Sequence, residues 1–224
     1  MAVVVVGVFF SDIPKAYADT CTWSSGTTAS TAVWSNCSGG APGADDAAII
    51  NTGSSSITWD ITSVGSITLD TGFSGNVTTS VNITVVTTSG GTGDMAINAG
   101  TFTQHNAITI NGGDLTVASG AVYTYTLSPT LTFQTGTSAT GIGGAGSMTL
   151  YQLRIVSGSI KQAGNVTAQA GGFTMQPGNA FADATYDMNG YNLTVTGSFS
   201  VGFIFNPGAR RLIYDFLRGA GFLT

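Results

Sequence analysis

A triplet made of an apolar residue, a threonine and a second apolar residue recurs along most of this chain. Because side chains alternate between the two faces of a strand, each triplet places both apolar side chains on one face and the threonine on the other. Threonine suits a strand, since its branched β-carbon packs well on a pleated surface. The nine copies are Ile57–Trp59, Ile67–Leu69, Ile83–Val85, Ile108–Ile110, Leu115–Val117, Leu131–Phe133, Met148–Leu150, Phe173–Met175 and Leu193–Val195.

Short turns of Gly, Asn, Ser and Asp separate the triplets, with no helical stretch between them. Many short strands in this arrangement predict an all-β chain, a parallel β-solenoid whose body covers residues 44–205. Turns every seven to twelve residues or so predict coils of about 20–25 residues, and about seven coils at the usual strand spacing would extend about 34 Å. An antiparallel β-sandwich also has regularly spaced short strands and remains the alternative fold.

Two segments share the pattern N-G-x-[DN]-L-T-V, residues 111–117 and 189–195. Asn-Gly supplies the positive φ of a tight turn, and a strand follows. The glycine-rich stretch at 136–147 instead predicts a loop that bulges from one coil. Six triplet residues are expected in the core: Ile108, Ile110, Leu115, Val117, Leu193 and Val195.

The amino-acid composition indicates the chemical character of the solenoid surface and the class of partner that the surface can bind. Hydrophobic residues make up 42% of the 224 residues, charged residues only 8%, and every acid is Asp. The outer surface is therefore expected to be hydroxyl, amide and glycine. The formal net charge is −5, and the body has no basic patch, which argues against a nucleic-acid partner because phosphate contacts need clustered Lys or Arg.

Both ends differ from the body. Ala2 to Phe10 is a short apolar run followed by Ala16-Tyr17-Ala18, so residues 1–18 resemble a signal peptide, and no membrane span is expected in the mature chain. Residues 19–43 contain two tryptophans and are interpreted as a capping module, in which Cys21 and Cys37 would form a disulfide in an oxidising compartment. Residues 206–224 are interpreted as a C-terminal cap or as the truncated continuation of a longer repeat protein.

Few residues are candidates for chemistry. Asp183 and Asp187, with Tyr186 between them, are the best candidates for a carboxylate pair, while the other acids are dispersed at turn positions. His105 is interpreted as a solvated turn residue. Gly90–Asn98 is similar to a Ca²⁺-binding nonapeptide, but its Asp is one place early and no tandem copy exists. No catalytic residue, metal site or cofactor is predicted.

Pairs of threonines two residues apart are typical of strand surfaces, and on some solenoids ranked threonines bind ice. The pairs begin at Thr101, Thr124, Thr130 and Thr194. Because they do not recur at one fixed coil spacing, the sequence predicts ordinary outward threonines rather than a regular array.

The segment from Cys21 to Ile50, with its tryptophans, Pro42 and Asp45-Asp46 before the first strand, resembles the entry segment of repetitive bacterial surface proteins. The body resembles the β-helical stalks of autotransporter-type and filamentous-haemagglutinin-like adhesins. This resemblance implies a secreted or cell-surface structural or adhesive module that binds an unknown surface or glycan ligand and has no catalytic residues. The alternatives are a carbohydrate-active β-helix, such as a polysaccharide lyase or hydrolase, and an ice-binding solenoid.

Overall fold

The computed structural model describes residues 18–88, 92–176 and 184–201, with backbone only for 135–140. Within these residues the chain forms nineteen strands and one 3-10 helix, Ala29–Thr31. The strands stack as a parallel β-solenoid of about seven turns. The predicted solenoid is thus confirmed, and the antiparallel sandwich is wrong, because almost all strand pairs are parallel and join successive coils.

Each coil contributes a short strand to each of three faces. The first face holds β1 (Thr20–Ser25), β3 (Ala47–Ile50), β6 (Ser66–Leu69), β9 (Met95–Ile97), β12 (Leu115–Val117) and β17 (Ala184–Asp187), with the ends of β14 (Thr130–Gly143) and β15 (Ser147–Gln162). The second face holds β4 (Ile57–Trp59), β7 (Asn76–Thr79), β10 (Thr101–Gln104), β13 (Val122–Tyr125) and β18 (Leu193–Val195), with the starts of β15 and β16 (Val166–Met175). The third face holds β5 (Ser63–Val64), β8 (Ile83–Val86), β11 (Ile108–Asn111) and β19 (Phe199–Val201), with the start of β14, the middle of β15 and the end of β16.

Coil length varies although the strands stay aligned. On the first face Ser66 pairs with Ala47, 19 positions earlier, whereas Met95 pairs with Ile67, 28 positions earlier. The turns between faces absorb this difference, because residues in a turn need not pair with the neighbouring coil. The register shifts within the long β14 and β15 pairing also fall between faces.

The core is a narrow column of side chains from all three faces. Ile108, Ile110, Leu115 and Val117 are buried, as predicted from their triplets. Burial of such a side chain contributes roughly 2 kcal/mol, so the repeated triplet is the main stabilising element of the fold. Leu193 and Val195 are only half-buried, because their strand lies in the last described coil and pairs with one neighbouring strand.

The loop predicted at 136–147 is confirmed only in part, because β14 bulges out of its pairing with β15 between Gln134 and Ala139, whereas residues 139–142 are paired. β14 continues to Gly143, and only Gly144–Gly146 connect it to β15. Glycine here permits close approach of two coils rather than a loose loop. A β-carbon on Gly164 would overlap the carbonyl oxygen of Gly144 in the preceding coil.

The N-terminal segment covers the first coil. β1 runs parallel to β3, and β2 (Val33–Ser35) pairs antiparallel with β1 beyond it. Trp23 and Trp34 are both 7% exposed, and the Trp34 ring packs edge-on against Trp59 of the first coil. The predicted disulfide between Cys21 and Cys37 is present and ties β1 to the turn after β2.

Two predicted segments lie wholly or mostly outside the described residues: the signal peptide at 1–18 apart from Ala18, and the C-terminal segment at 206–224. Among the described residues no helix is long and apolar enough to cross a membrane.

Candidate binding surface on the second face

One outward threonine from every coil lines up on the second face. Thr28, which bridges to the strand of the first coil, begins the series, and the register pairs Thr58 with Thr78. The alignment continues to the last described coil without a shift on this face, since Tyr123 pairs with Met148 and thereby aligns the threonines that follow them. We define the threonine ladder as Thr28, Thr58, Thr78, Thr103, Thr124, Thr149, Thr167 and Thr194.

The expectation of no regular threonine array is therefore wrong. The spacing between ladder residues varies from 18 positions (Thr149 to Thr167) to 30 (Thr28 to Thr58), which hid the alignment in the sequence. Backbone hydrogen bonding between coils fixes which residues lie side by side, and the turns take up the unequal lengths. A fixed sequence spacing is thus not required for a regular column on a solenoid.

The ladder threonines differ in their surroundings. Thr78 accepts a hydrogen bond from the Asn76 amide at 3.1 Å, and Thr103 donates to the Asn76 side-chain oxygen at 2.9 Å. Thr103 is buried, with 8% of its surface exposed, whereas Thr58 and Thr194 are exposed. The ladder thus combines hydroxyls that neighbouring side chains hold in place with hydroxyls that face solvent.

The other two faces carry less regular columns. On the third face the outward column contains Thr84, Thr109, Thr132 and Thr174, but Arg154 interrupts it. The outward column of the first face includes apolar residues and glycine between its threonines; its members are Thr22, Ile49, Thr68, Ala96, Thr116 and Gly143. The second face is therefore the most uniform of the three.

Aspartates at the entry to the first face connect one coil to the next. The Asp94 carboxylate accepts a hydrogen bond from the backbone amide of Asp114 at 2.7 Å. Asp114 in turn accepts one from the amide of Gly141 at 2.6 Å. The Asp46 carboxylate accepts hydrogen bonds from the backbone amides of Asp19 and Gly43, each at 2.8 Å. These carboxylates satisfy turn amides, which is the structural role predicted for the dispersed acids. Asp94 is also the aspartate of the calcium-like segment at 90–98, of which residues 92–98 are described.

The candidate carboxylate pair cannot be assembled from the described residues. Asp183 lies outside them. Asp187 is exposed, and its carboxylate accepts the backbone amide of Asn189 at 2.9 Å. Tyr186 points inward, 8% exposed, against the ring of Phe173, so Asp187 and Tyr186 lie on opposite sides of their strand. Lys161 is the register neighbour of Asp187 on the preceding coil.

His105 lies at a corner of the second face, as predicted for a turn residue, with its Nδ1 2.8 Å from the Thr126 hydroxyl. The sulfurs of Cys21 and Cys37 lie near a carboxylate oxygen of Asp46, a spacing that could suit a metal ion. The sulfurs are joined in a disulfide, so neither is a thiolate and the group is not a metal site.

Sequence reasoning missed two buried glutamines. Gln104 is fully buried and donates from Nε2 to the carbonyl oxygens of Asn106 and Thr130, each at 3.0 Å. Its Oε1 accepts the hydroxyl of Tyr123 at 3.0 Å. Burial raises the pKa of Tyr123 well above its ordinary value of about 10. The sequence does contain a signal for this burial. Inward and outward side chains alternate along the strand, and Gln104 follows inward Phe102 by two positions, so it is also expected to point inward.

Gln162 occupies a similar inward position in a later coil. Its Nε2 donates to the carbonyl oxygens of Gly164 at 3.0 Å and Asn192 at 3.1 Å, and its Oε1 is buried without a hydrogen-bond partner in the described part of the chain. Both glutamines therefore join their own corner to the following coil.

Scans against protein families, curated protein sequences and solved structures gave no match to this chain.

Proposed function

We propose that this chain is a secreted or cell-surface β-solenoid with a structural or adhesive role and without catalysis. The observation that carries the proposal is the threonine ladder, a column of outward hydroxyl groups on a continuous hydrogen-bonded scaffold. Each hydroxyl contributes a weak contact, and a rigid column presents many of them together, as in multivalent binding. The disulfide near the first coil supports an oxidising, extracellular location.

The described carboxylates support a non-catalytic role. Asp46, Asp94 and Asp114 each accept backbone amides at turns. A glycosidase needs two carboxylates facing one cleft at a separation of about 5–10 Å. The direct test compares the wild type with Asp187→Asn across a panel of soluble polysaccharides, scored for new reducing ends and for unsaturated products. No turnover by either protein is expected, and an activity that Asp187→Asn abolishes would overturn the non-catalytic role.

Export and adhesion need separate measurements. Mass spectrometry of protein recovered from the medium of an expressing bacterium should find Asp19 as the first residue and Cys21 joined to Cys37. A glycan array together with insoluble chitin, cellulose and xylan then tests adhesion by the purified protein. Retained Met1 with free thiols would contradict export, and a failure to bind any of these surfaces or intact bacterial cells would contradict adhesion.

A further inference from the structure

We infer that the threonine ladder is a docking surface for crystalline ice. The inference deepens the proposed function, on which it rests, because it names the solid to which the exposed surface adheres. It depends on a column that repeats along the solenoid axis, on the residues beside that column and on the chemistry of a threonine side chain.

The first direction runs along the solenoid axis. Ladder residues on successive coils are separated by the strand spacing of about 4.8 Å, and seven such steps join Thr28 to Thr194. The second direction runs along each strand, where the next outward residue is about 6.7 Å away. These neighbours are mixed: Thr101, Thr126, Ser147 and Thr196 carry hydroxyls, whereas Val122 and His105 in the same columns do not.

Threonine is well suited to hold water in fixed places. Its hydroxyl can donate or accept a hydrogen bond, and its methyl group excludes water beside it. The branched β-carbon restricts χ1, so the positions of both groups are set largely before binding. A column of such residues holds a regular alternation of hydrogen-bonding and apolar points. Hexagonal ice is an uncharged solid whose surface oxygens repeat in two dimensions at separations of the same order.

Charge and aromatic content favour ice over other solids. The eight ladder residues are uncharged, and Asp60 and His105 lie one outward position beyond the ladder, in the same column as Thr126 and Thr196. The large apolar side chains that are exposed among the described residues lie outside the ladder: Val33, Leu127, Tyr191 and Phe199. Aromatic platforms for sugar rings and charges for ionic polymers are thus not part of this column.

The test uses the full exported chain and three variants of equal charge. Thr124→Lys and Thr149→Lys place a long charged side chain in the centre of the ladder. Thr132→Lys, the matched control, makes the same change in the outward column of the third face. Circular dichroism verifies that each variant retains its strands. Ice affinity is read as the fraction of protein incorporated into a slowly growing ice hemisphere. It is also read as thermal hysteresis, the difference between the melting and freezing temperatures of a single ice crystal in the protein solution.

The wild type and Thr132→Lys should enter the ice and show hysteresis, whereas both ladder variants should lose most of each signal. Exclusion of the wild type from ice would overturn the inference, as would equal losses in all three variants. If the wild type is excluded from ice but is retained by chitin, cellulose or cells, the inference fails while the adhesive function stands. If it binds none of these, both proposals fail.

Discussion

Replacing Gln104 with leucine should be one of the most damaging conservative changes in this chain. The substitution keeps a side chain of similar size but removes three hydrogen bonds inside the core. It leaves the Tyr123 hydroxyl fully buried without an acceptor, at a cost of roughly 1–3 kcal/mol, and the two lost amide bonds cost about 1 kcal/mol each. The leucine regains part of this through apolar burial, so we expect a net loss of about 3 kcal/mol in the free energy of unfolding.

Gln162 is a matched control in the same fold. Gln162→Leu also loses two amide bonds, but it removes a buried oxygen that has no partner within the described residues. Removal of an unpaired acceptor offsets the lost bonds, so this variant should lose only about 1 kcal/mol. The two substitutions are chemically identical, and the difference of about 2 kcal/mol measures the Tyr123 contact and its orphaned hydroxyl.

The assay is urea unfolding followed by far-ultraviolet circular dichroism, with the slope of the transition compared among variants because coils of a solenoid can unfold separately. A double variant completes the cycle. Adding Tyr123→Phe to Gln104→Leu removes the orphaned hydroxyl and should recover about 1 kcal/mol or more. The reasoning is refuted if Gln104→Leu costs no more than Gln162→Leu, or if Tyr123→Phe makes the Gln104→Leu protein still less stable.

Three further expectations concern the disulfide, the coil contacts and alkaline pH. Cys21→Ser with Cys37→Ser should lose about 3 kcal/mol in the free energy of unfolding, since the bond closes a loop of 16 residues; equal midpoints with and without reductant in the wild type would contradict this. Gly164→Ala should lose about 1–3 kcal/mol through overlap with the preceding coil, whereas Gly39→Ala, which has room, should change stability by less than about 0.5 kcal/mol in the same urea titration. Because burial raises the pKa of Tyr123, the unfolded chain loses its phenol proton first, so stability should fall as pH rises above about 10 and should fall less steeply in Tyr123→Phe.

The alternation of apolar and polar side chains is the sequence feature from which much of this fold can be predicted. In triplets such as Ile108–Ile110 and Leu115–Val117, both the strand and its buried face follow from a period of two. The same rule fails at 139–142, where glycine-rich sequence lacks the triplet pattern and yet forms a strand, because pairing with the next coil supplies its hydrogen bonds. A local pattern contains no information on which neighbour will pair with it.

The same limit applies to the candidate surface. The triplets predict outward positions for Thr58, Thr149 and Thr194, but each ladder threonine has its neighbour 18 to 30 positions away, at a distance set by the intervening turns. The related segments at 111–117 and 189–195 show this clearly. Both make a turn followed by Leu-Thr-Val, yet the first lies on the first face and the second on the second face, so Thr116 and Thr194 belong to different columns.

The turns and the strands of a solenoid therefore tolerate different changes in sequence. Residues in turns can be added or removed without moving a column, because only strand residues are held by the coils on either side. Residues in a strand cannot be shifted by one position without turning the outward threonine inward and exposing its apolar neighbours. Thr149 and Thr167 remain side by side across 18 positions, as do Thr167 and Thr194 across 27, because backbone pairing aligns them. Any binding that depends on spacing along the axis should thus be insensitive to turn length and sensitive to single substitutions in the column.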